Sequence, residues 1–510
     1  MMVPMPQRPC ELARLVDGLV DSAGDLSVSI HGVESDSRRV RDGSLFLACS
    51  GFESHGLNYL PEALRNGAAA VLWEPEPGVE PPDIPIPAWP VPQLRRHAGE
   101  IAARYYERPS RELFSVGITG TDGKTSTAYL LAHALTKLGD PAGYLGTLGY
   151  GPVDALELAT HTTPDAVRIQ RWMRRLVDDR AKAMVMETSS HALDQGRVAG
   201  VEFDVGILTN VGRDHLDYHG DLERYAAAKR RLFDMPDLGL AVLNRDDDLG
   251  RAWAEELSPA LPVCTYGIEG DMPEQARYAI ARDVQLATQG LQFRLQTPAG
   301  SRVVQSGLLG RFNIYNLLAA AAVLEFRGYA LDRIAEVLGK LGTVPGRMEG
   351  FSAPGLPLAV VDYAHTPQAL AHALESLRPH CEGRLICVFG CGGDRDTGKR
   401  QLMGSAAARL ADAVVVTDDN PRSESPFDIV AAIVSGMGDR RHVRVEHDRE
   451  VAIRTAIEQA RAGDVVLVAG KGHETEQIIG SERRPFSDRG VVAAVLQTLG
   501  GQPGGRHGDA

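Results

Sequence analysis

Apolar positions along this chain follow two different rhythms. Short, largely apolar runs at 44–48, 68–73, 113–118, 184–186, 205–208 and 241–243 are bounded by polar residues. Runs this short predict buried strands rather than helices. Between them the spacing changes. After a Gly/Thr loop, Ala128, Leu131, Leu135 and Leu138 recur at intervals of three and four, and Gly139 suits a C-terminal cap. The same rhythm predicts helices at 93–106 and around Lys229. In the last third, runs at 358–361, 385–389, 413–416 and 465–468 alternate with helical stretches. That alternation predicts a doubly wound α/β domain with a largely parallel sheet. A proline-rich stretch at 75–92 reads as a surface loop, and the Gly-rich end from Gly500 as a flexible tail.

These shifts divide the 510 residues into three expected domains, 1–92, 93–342 and 343–510. With 44% hydrophobic and 24% charged residues, the balance is that of a globular protein. The net charge of −13 argues against a nucleic-acid partner, which would need a basic face. It leaves room for an anionic small substrate in a locally basic pocket. The six cysteines form no CxxC pair and no zinc pattern. Cys387 and Cys391 read as small buried residues. Residues 1–15 carry no signal-peptide core, and no stretch approaches the ~20 apolar residues of a membrane span. The expectation is a cytoplasmic protein without membrane insertion.

Candidate chemistry begins at Gly117-Ile-Thr-Gly-Thr-Asp-Gly-Lys-Thr125, which follows a predicted strand and opens a predicted helix. A phosphate loop needs this context, because backbone N–H groups and the helix N-terminus face the phosphates. Lys124 would balance the β/γ-phosphates and Thr125 would bind Mg²⁺. Ile118 stands where the strict pattern has glycine, so the loop is a variant centred on Gly120, Gly123, Lys124 and Thr125. The next strand ends in Glu187-Thr-Ser-Ser-His191, and another leads to Asn210 and Asp214-His215. A carboxylate at such a strand end, beside a phosphate loop, is well placed for a metal ion. From spacing alone, His215 reads as a hydrogen-bonded loop histidine and Lys229 as a solvated surface lysine.

Each predicted strand of the last domain also ends in reactive residues. They are Asp362-Tyr-Ala-His365, Gly393-Asp394-Arg395, Asp419-Asn420-Pro421-Arg422 and Gly470-Lys471-Gly472-His473-Glu474. Ligands of open α/β sheets bind at this edge. Arg395 and Arg422 suit carboxylates, since guanidinium pairs with them bidentately, and Glu474 suits an ammonium. Together they fit a zwitterionic amino acid with an extra carboxylate.

In order along nearly the whole chain, these motifs, with Gly310-Arg-Phe-Asn313-Ile-Tyr-Asn316 and Gly346-Arg347-Met-Glu349, resemble the Mur ligase family, and within it the MurE type. The resemblance implies an α/β fold of three domains. The first binds the UDP part of the substrate, the second is P-loop ATPase-like, and the third is Rossmann-like and binds the amino acid. It implies an ATP- and Mg²⁺-dependent ligase of peptidoglycan synthesis. The reaction joins meso-2,6-diaminopimelate to UDP-N-acetylmuramoyl-L-alanyl-D-glutamate through an acyl-phosphate, and the enzyme is expected to be a monomer. Carried over residue by residue, Ser37 would meet the uridine end. Thr162, Thr163, Ser189, Gln195 and Arg197 would hold the muramoyl-dipeptide. Gly120, Thr121, Asp122, Gly123, Lys124, Thr125, Asn313, Arg347, Asp362 and His365 would face the nucleotide. Thr125 and Glu187 would ligate one Mg²⁺, and His215 with a carbamylated Lys229 a second, so that Lys124, Glu187, His215 and Lys229 serve catalysis. Arg395, Asp419, Asn420, Pro421, Arg422, Gly470 and Glu474 would hold diaminopimelate. In this family the Asp-Asn-Pro-Arg run marks the diaminopimelate-adding branch. An unpaired Arg422 would penalise lysine, which lacks the distal carboxylate, by about 1–3 kcal/mol.

Two positions depart from the family pattern: Asp122 replaces an asparagine in the phosphate loop, and His161 replaces one before Thr162. Modest retuning of substrate contacts is expected. With nucleotide and amino acid assigned to different domains, closure on substrate binding is expected too. The rivals are another acyl-phosphate ligase, such as folylpolyglutamate synthase, and a nucleotide-binding regulator without ligase activity. The paired motifs at 419–422 and 470–474 weigh against the first, and intact Lys124, Glu187, His215 and Lys229 against the second.

Overall fold

The computed structural model describes residues 9–20, 26–51, 54–80, 84–270, 277–438 and 442–500. The predicted tail beyond Gly500 and part of the proline-rich stretch, 81–83, lie outside these residues. The chain forms two compact units, Met1–Cys264 and Thr265–Ala510. The division after Cys264 falls inside the segment 93–342 expected to be one domain.

The first unit contains a parallel sheet of Gly32–Glu34, Ser44–Ala48, Ala68–Trp73 and Ala88–Pro90. The last strand corrects the reading of 75–92 as loop throughout. Trp89 buries its indole there, so the stretch contributes to the core. A second set of strands runs in the order Leu240–Asn244, Val205–Leu208, Phe114–Thr119, Ala183–Glu187, Ala142–Gly146, Gly149–Pro152. All pair in parallel except the last, an antiparallel return. Strands covered on both faces are apolar at every position, which is why 205–208 and 184–186 read as unbroken runs. Register sets the site: Glu187 lies opposite Ile118 and Leu208 opposite Thr119. The loop 120–123, Glu187 and Thr209 therefore leave neighbouring strands at one edge.

The second unit holds an antiparallel set, Arg277–Ala287, Gly290–Thr297 and Gly300–Ser306, that the sequence reading did not identify. A six-stranded sheet follows, in the order Glu349–Phe351, Leu358–Asp362, Val465–Ala469, Leu385–Phe389, Ala413–Val416, Val443–Val445. It is parallel except for its first strand. Alternate residues feed cores on its two faces. Val360, Cys387 and Phe389 point to one, and Ala359, Val361 and Val388 to the other. This is the doubly wound arrangement expected from the alternating pattern. Cys387 and Cys391 are buried free thiols, and burial pushes both up to about 12. Among the described residues, no helix is long and apolar enough to cross a membrane.

Candidate functional site

The site residues fall into two groups, one in each unit. In the first, the strand Phe114–Thr119 passes through Gly120 into the helix Lys124–Lys137, whose N-cap is Gly123. Gly120 has φ 149°, and a Cβ there would stand 1.8 Å from Thr209 Oγ1. Only glycine fits this turn. Asn210 clamps the loop from the neighbouring strand end. Its carbonyl accepts from Thr121 N at 2.9 Å, its Oδ1 accepts from Asp122 N at 3.0 Å, and its Nδ2 donates to Asp122 O at 3.1 Å. Lys124 Nζ donates to the carbonyls of Gly120 and Thr121, each at 2.8 Å.

Glu187 is buried, and four donors converge on it. Thr125 Oγ1 donates to Oε2 at 2.8 Å, while Tyr144 Oη and Thr147 N donate to Oε1 at 2.6 and 2.7 Å. Thr147 Oγ1 reaches Oε2 at 3.3 Å. The Thr125–Glu187 pair presents two hard oxygen donors side by side, the chemistry Mg²⁺ prefers. Tyr144 and Thr147 were missed in the sequence, because nothing in spacing reveals which aromatic will meet a carboxylate 43 residues away.

Lys229 is not a surface lysine. It is 1% exposed, on the helix Leu222–Arg230, and its Nζ donates to Gly120 O at 2.6 Å. Burial, reinforced by Lys124, pushes its ammonium down to about 6. Tyr225 lies beneath it, 4.2 Å from ring centroid to Nζ, and Tyr225 Oη pairs with Thr121 Oγ1 at 3.2 Å. His215 stands 6.3 Å from that ring, centroid to centroid, with its side chain 49% exposed and its backbone at φ 52°. Tyr225 thus lies beside both Lys229 and His215. Among the described residues, no three His, Cys, Asp or Glu side chains cluster as a metal site.

The residues expected to hold the muramoyl-dipeptide also meet. Thr163 Oγ1 donates to Glu187 O at 2.7 Å and accepts from Ser189 N at 3.1 Å. Arg197 donates to Thr163 O at 3.0 Å and to Gln195 Oε1 at 2.9 and 2.6 Å. Thr162 pairs with Thr147 through their hydroxyls at 3.1 Å. His161 lies beside them, and burial, with Arg197 and Arg168 adding, lowers its pKa. Ser37 is separate from this cluster. It is buried, and its hydroxyl donates to Glu62 Oε2 at 2.5 Å.

In the second unit, Asn313 is buried and donates to Leu309 O at 2.7 Å. Asp362 accepts from Met348 N and Ala364 N, both at 2.8 Å, and burial pushes its carboxyl up against these bonds. Arg347 lies over the Tyr363 ring at 4.8 Å. His365 is exposed; its Nδ1 pairs with Tyr363 O, and its carbonyl accepts from Lys399. Arg395 and Arg422 flank Gly392, where a Cβ would lie 3.8 Å from Arg395 Cγ and 2.8 Å from Arg422 Nη1. Arg422 adopts φ 52° and donates to Gly393 O at 2.8 Å. Gly470 has φ 121°, and a Cβ there would lie 2.5 Å from Asp419 Oδ2. Asn420 donates to Glu474 Oε2 at 3.0 Å. Lys471 joins this pair. Nothing in the spacing of Gly470–Glu474 singles out its lysine.

The comparisons with known proteins match three successive stretches of the chain. Residues 29–106 match the model described as Mur ligase family, catalytic domain, 118–324 the Mur ligase middle domain, and 346–472 the Mur ligase, glutamate ligase domain. The chain is 50% identical over 483 residues to the UDP-N-acetylmuramoyl-L-alanyl-D-glutamate–2,6-diaminopimelate ligase of Alkalilimnicola ehrlichii, covering 93% of this chain and 96% of the relative. A solved structure of a ligase of the same name is 35% identical, with a TM-score of 0.74, covering 97% of this chain and all of that one. The MurF ligase of Thermotoga maritima, solved with ADP, shares the fold at 21% identity and a TM-score of 0.59, over 86% and 94% of the two chains. Three family matches in order, with half the residues identical over nearly the full length, establish that this chain belongs to the Mur ligase family.

Proposed function

We propose that this chain is an ATP-dependent ligase that adds meso-2,6-diaminopimelate to UDP-N-acetylmuramoyl-L-alanyl-D-glutamate in peptidoglycan synthesis. The observation that carries this reading is the 50% identity, over 93% of the chain, to a ligase bearing that name. The geometry supports it with a phosphate loop beside an oxygen-lined Thr125–Glu187 pair. It adds the Arg395 and Arg422 side chains on either side of Gly392, with Asn420, two residues before Arg422, bonded to the Glu474 carboxylate.

A carboxylate and an ammonium do not condense in water at a useful rate, so the carboxylate is activated first. The γ-carboxylate of the D-glutamate attacks the γ-phosphorus of ATP, the bond to ADP breaks, and an acyl-phosphate forms. The loop amides and Lys124 balance the transferring charge. Mg²⁺, held by Thr125 and Glu187, would supply further charge neutralisation there. His215 and a carbamylated Lys229 would serve a second ion. An amine titrating near 6 is largely uncharged at neutral pH, the form that adds to CO₂. Arg197, Thr162, Thr163 and Ser189 orient the dipeptide. Arg422 and Arg395 orient the amino acid by its carboxylates. Its free amine attacks the acyl carbon, the C–O bond to phosphate breaks, and the amine proton leaves with the phosphate.

The test is phosphate release from ATP in the presence of the UDP-muramoyl-dipeptide, with meso-diaminopimelate or L-lysine added in parallel. Release with diaminopimelate and little with lysine is expected, and Lys124→Ala abolishes it. Near-normal release in that variant, or release with neither amino acid, overturns the reading.

A further inference from the structure

Lys471 has a side chain with no exposed surface, yet it lies at the strand end where solvent-facing ligand chemistry is expected. A buried ammonium is stable only when paired and hydrogen-bonded. Its partners are specific. Nζ donates to Glu474 Oε2 at 2.9 Å and to Asn420 Oδ1 at 3.0 Å, and Asn420 Nδ2 closes the ring by donating to the same Glu474 Oε2 at 3.0 Å. Asn420 Oδ1 also accepts from Ile478 N at 3.0 Å. With two donors on Oδ1, the amide has one orientation, since a flip would set N–H against N–H. Glu474 is held through Oε2, and Oε1 takes no hydrogen bond from the described residues.

The ring continues into the arginine. Arg422 N donates to Ile478 O at 3.1 Å, and Gly480 N donates to Arg422 O at 2.7 Å. The hairpin of Glu476–Ile479 and Glu482–Pro485 is thereby tied to the backbone that carries Arg422. Gln477 Nε2 adds a bond to Asp419 O at 2.9 Å. One ammonium thus fixes Glu474 directly, and fixes Arg422 through Asn420 and Ile478.

We infer that Lys471 is a specificity-determining positioning residue. It holds the ammonium-accepting Glu474 and the carboxylate-binding Arg422 at a fixed separation, so that the pocket measures the distance between the charged ends of the amino acid. It also neutralises one oxygen of Glu474, leaving the pocket biased towards a ligand with two carboxylates. The inference rests on the proposed ligase activity. A lysine that only stabilised the fold would affect all substrates alike, whereas this role affects one.

The experiment compares the unaltered chain with Lys471→Met, Glu474→Gln and the double variant. Phosphate release is measured while each of the three substrates is varied in turn, and melting temperature is recorded alongside. Lys471→Met should raise KM for meso-diaminopimelate tenfold or more, with KM for ATP and for the UDP-muramoyl-dipeptide within twofold of normal. The preference over lysine should shrink. The double variant should lose less than the sum of the two single losses, because the lysine acts in part through that carboxylate. If Lys471→Met does not fold, Lys471→Gln, which keeps an uncharged donor, should give the same selective rise in smaller measure. A parallel rise in all three KM values, an additive double variant, or a lowered melting temperature with unchanged KM overturns the inference and leaves the ligase reading intact. No release by the unaltered chain with either amino acid overturns both.

Discussion

An ammonium packed 4.2 Å from a tyrosine ring centroid, 1% exposed and near a second lysine, is held in a place that disfavours its charge. Lys229 accordingly titrates near 6 in the folded chain, against about 10.4 when unfolded. Between these values the unfolded chain binds the extra proton, so stability rises with pH across that window. Below about 6 both states are protonated and the full penalty of burying the charge is present. Lys229→Met should therefore stabilise the chain most, relative to the native residue, below pH 6. That advantage should shrink steadily towards pH 10. Urea midpoints in CO₂-free buffer at pH 5.5, 7 and 9 measure it, and a pH-independent difference contradicts the depressed titration. At neighbouring positions the sequence was legible because the chemistry is local. Gly120, Gly123, Lys124 and Thr125 lie in one short turn from a strand into a helix, so their spacing alone marks the loop. Lys229 was not legible, because burial is decided by what packs over it.

Elements carry their own constraints. The helices Arg449–Glu458 and Asp488–Thr498 are joined at their first residues by a fully buried ion pair. Arg449 Nε donates to Asp488 Oδ1 at 2.7 Å, and Nη2 donates to Oδ2 at 2.8 Å and to Ala469 O at 2.9 Å. The last bond anchors the pair to the end of the strand Val465–Ala469, one residue before Gly470. Removing one partner leaves the other charge buried, a loss of about 3–5 kcal/mol. Asp488→Ala should lower the urea midpoint accordingly, at an unchanged denaturant slope. A loss below about 1 kcal/mol would mean the site relaxes enough to hydrate Arg449. The strands of the parallel sheets were legible as apolar runs. The antiparallel set at 277–306 was not, because its strands alternate buried and exposed residues and include five arginines and glutamines in 290–305.

At the scale of the molecule, the proposed function turns on the choice of amino acid. Arg422 sits at φ 52°, so alanine there would add backbone strain to the loss of charge. Asparagine tolerates that conformation and gives the cleaner test. Arg422→Asn should reduce kcat/KM for meso-diaminopimelate at least tenfold while leaving that for lysine within threefold. Equal losses for both would place the arginine outside the discriminating contact. The sequence by itself determined the fold class, the family motifs and the loop 120–125 between a strand and a helix. Each of these is written in short-range spacing, at the ends of apolar runs or along one turn of backbone. Only the tertiary structure decided that Lys229 is buried, that Tyr144 and Thr147 hold Glu187, and that Lys471 joins Asn420 to Glu474. Those facts depend on which side chains long-range packing brings within 3 Å and which it removes from water, and neither quantity has a local signature in the chain.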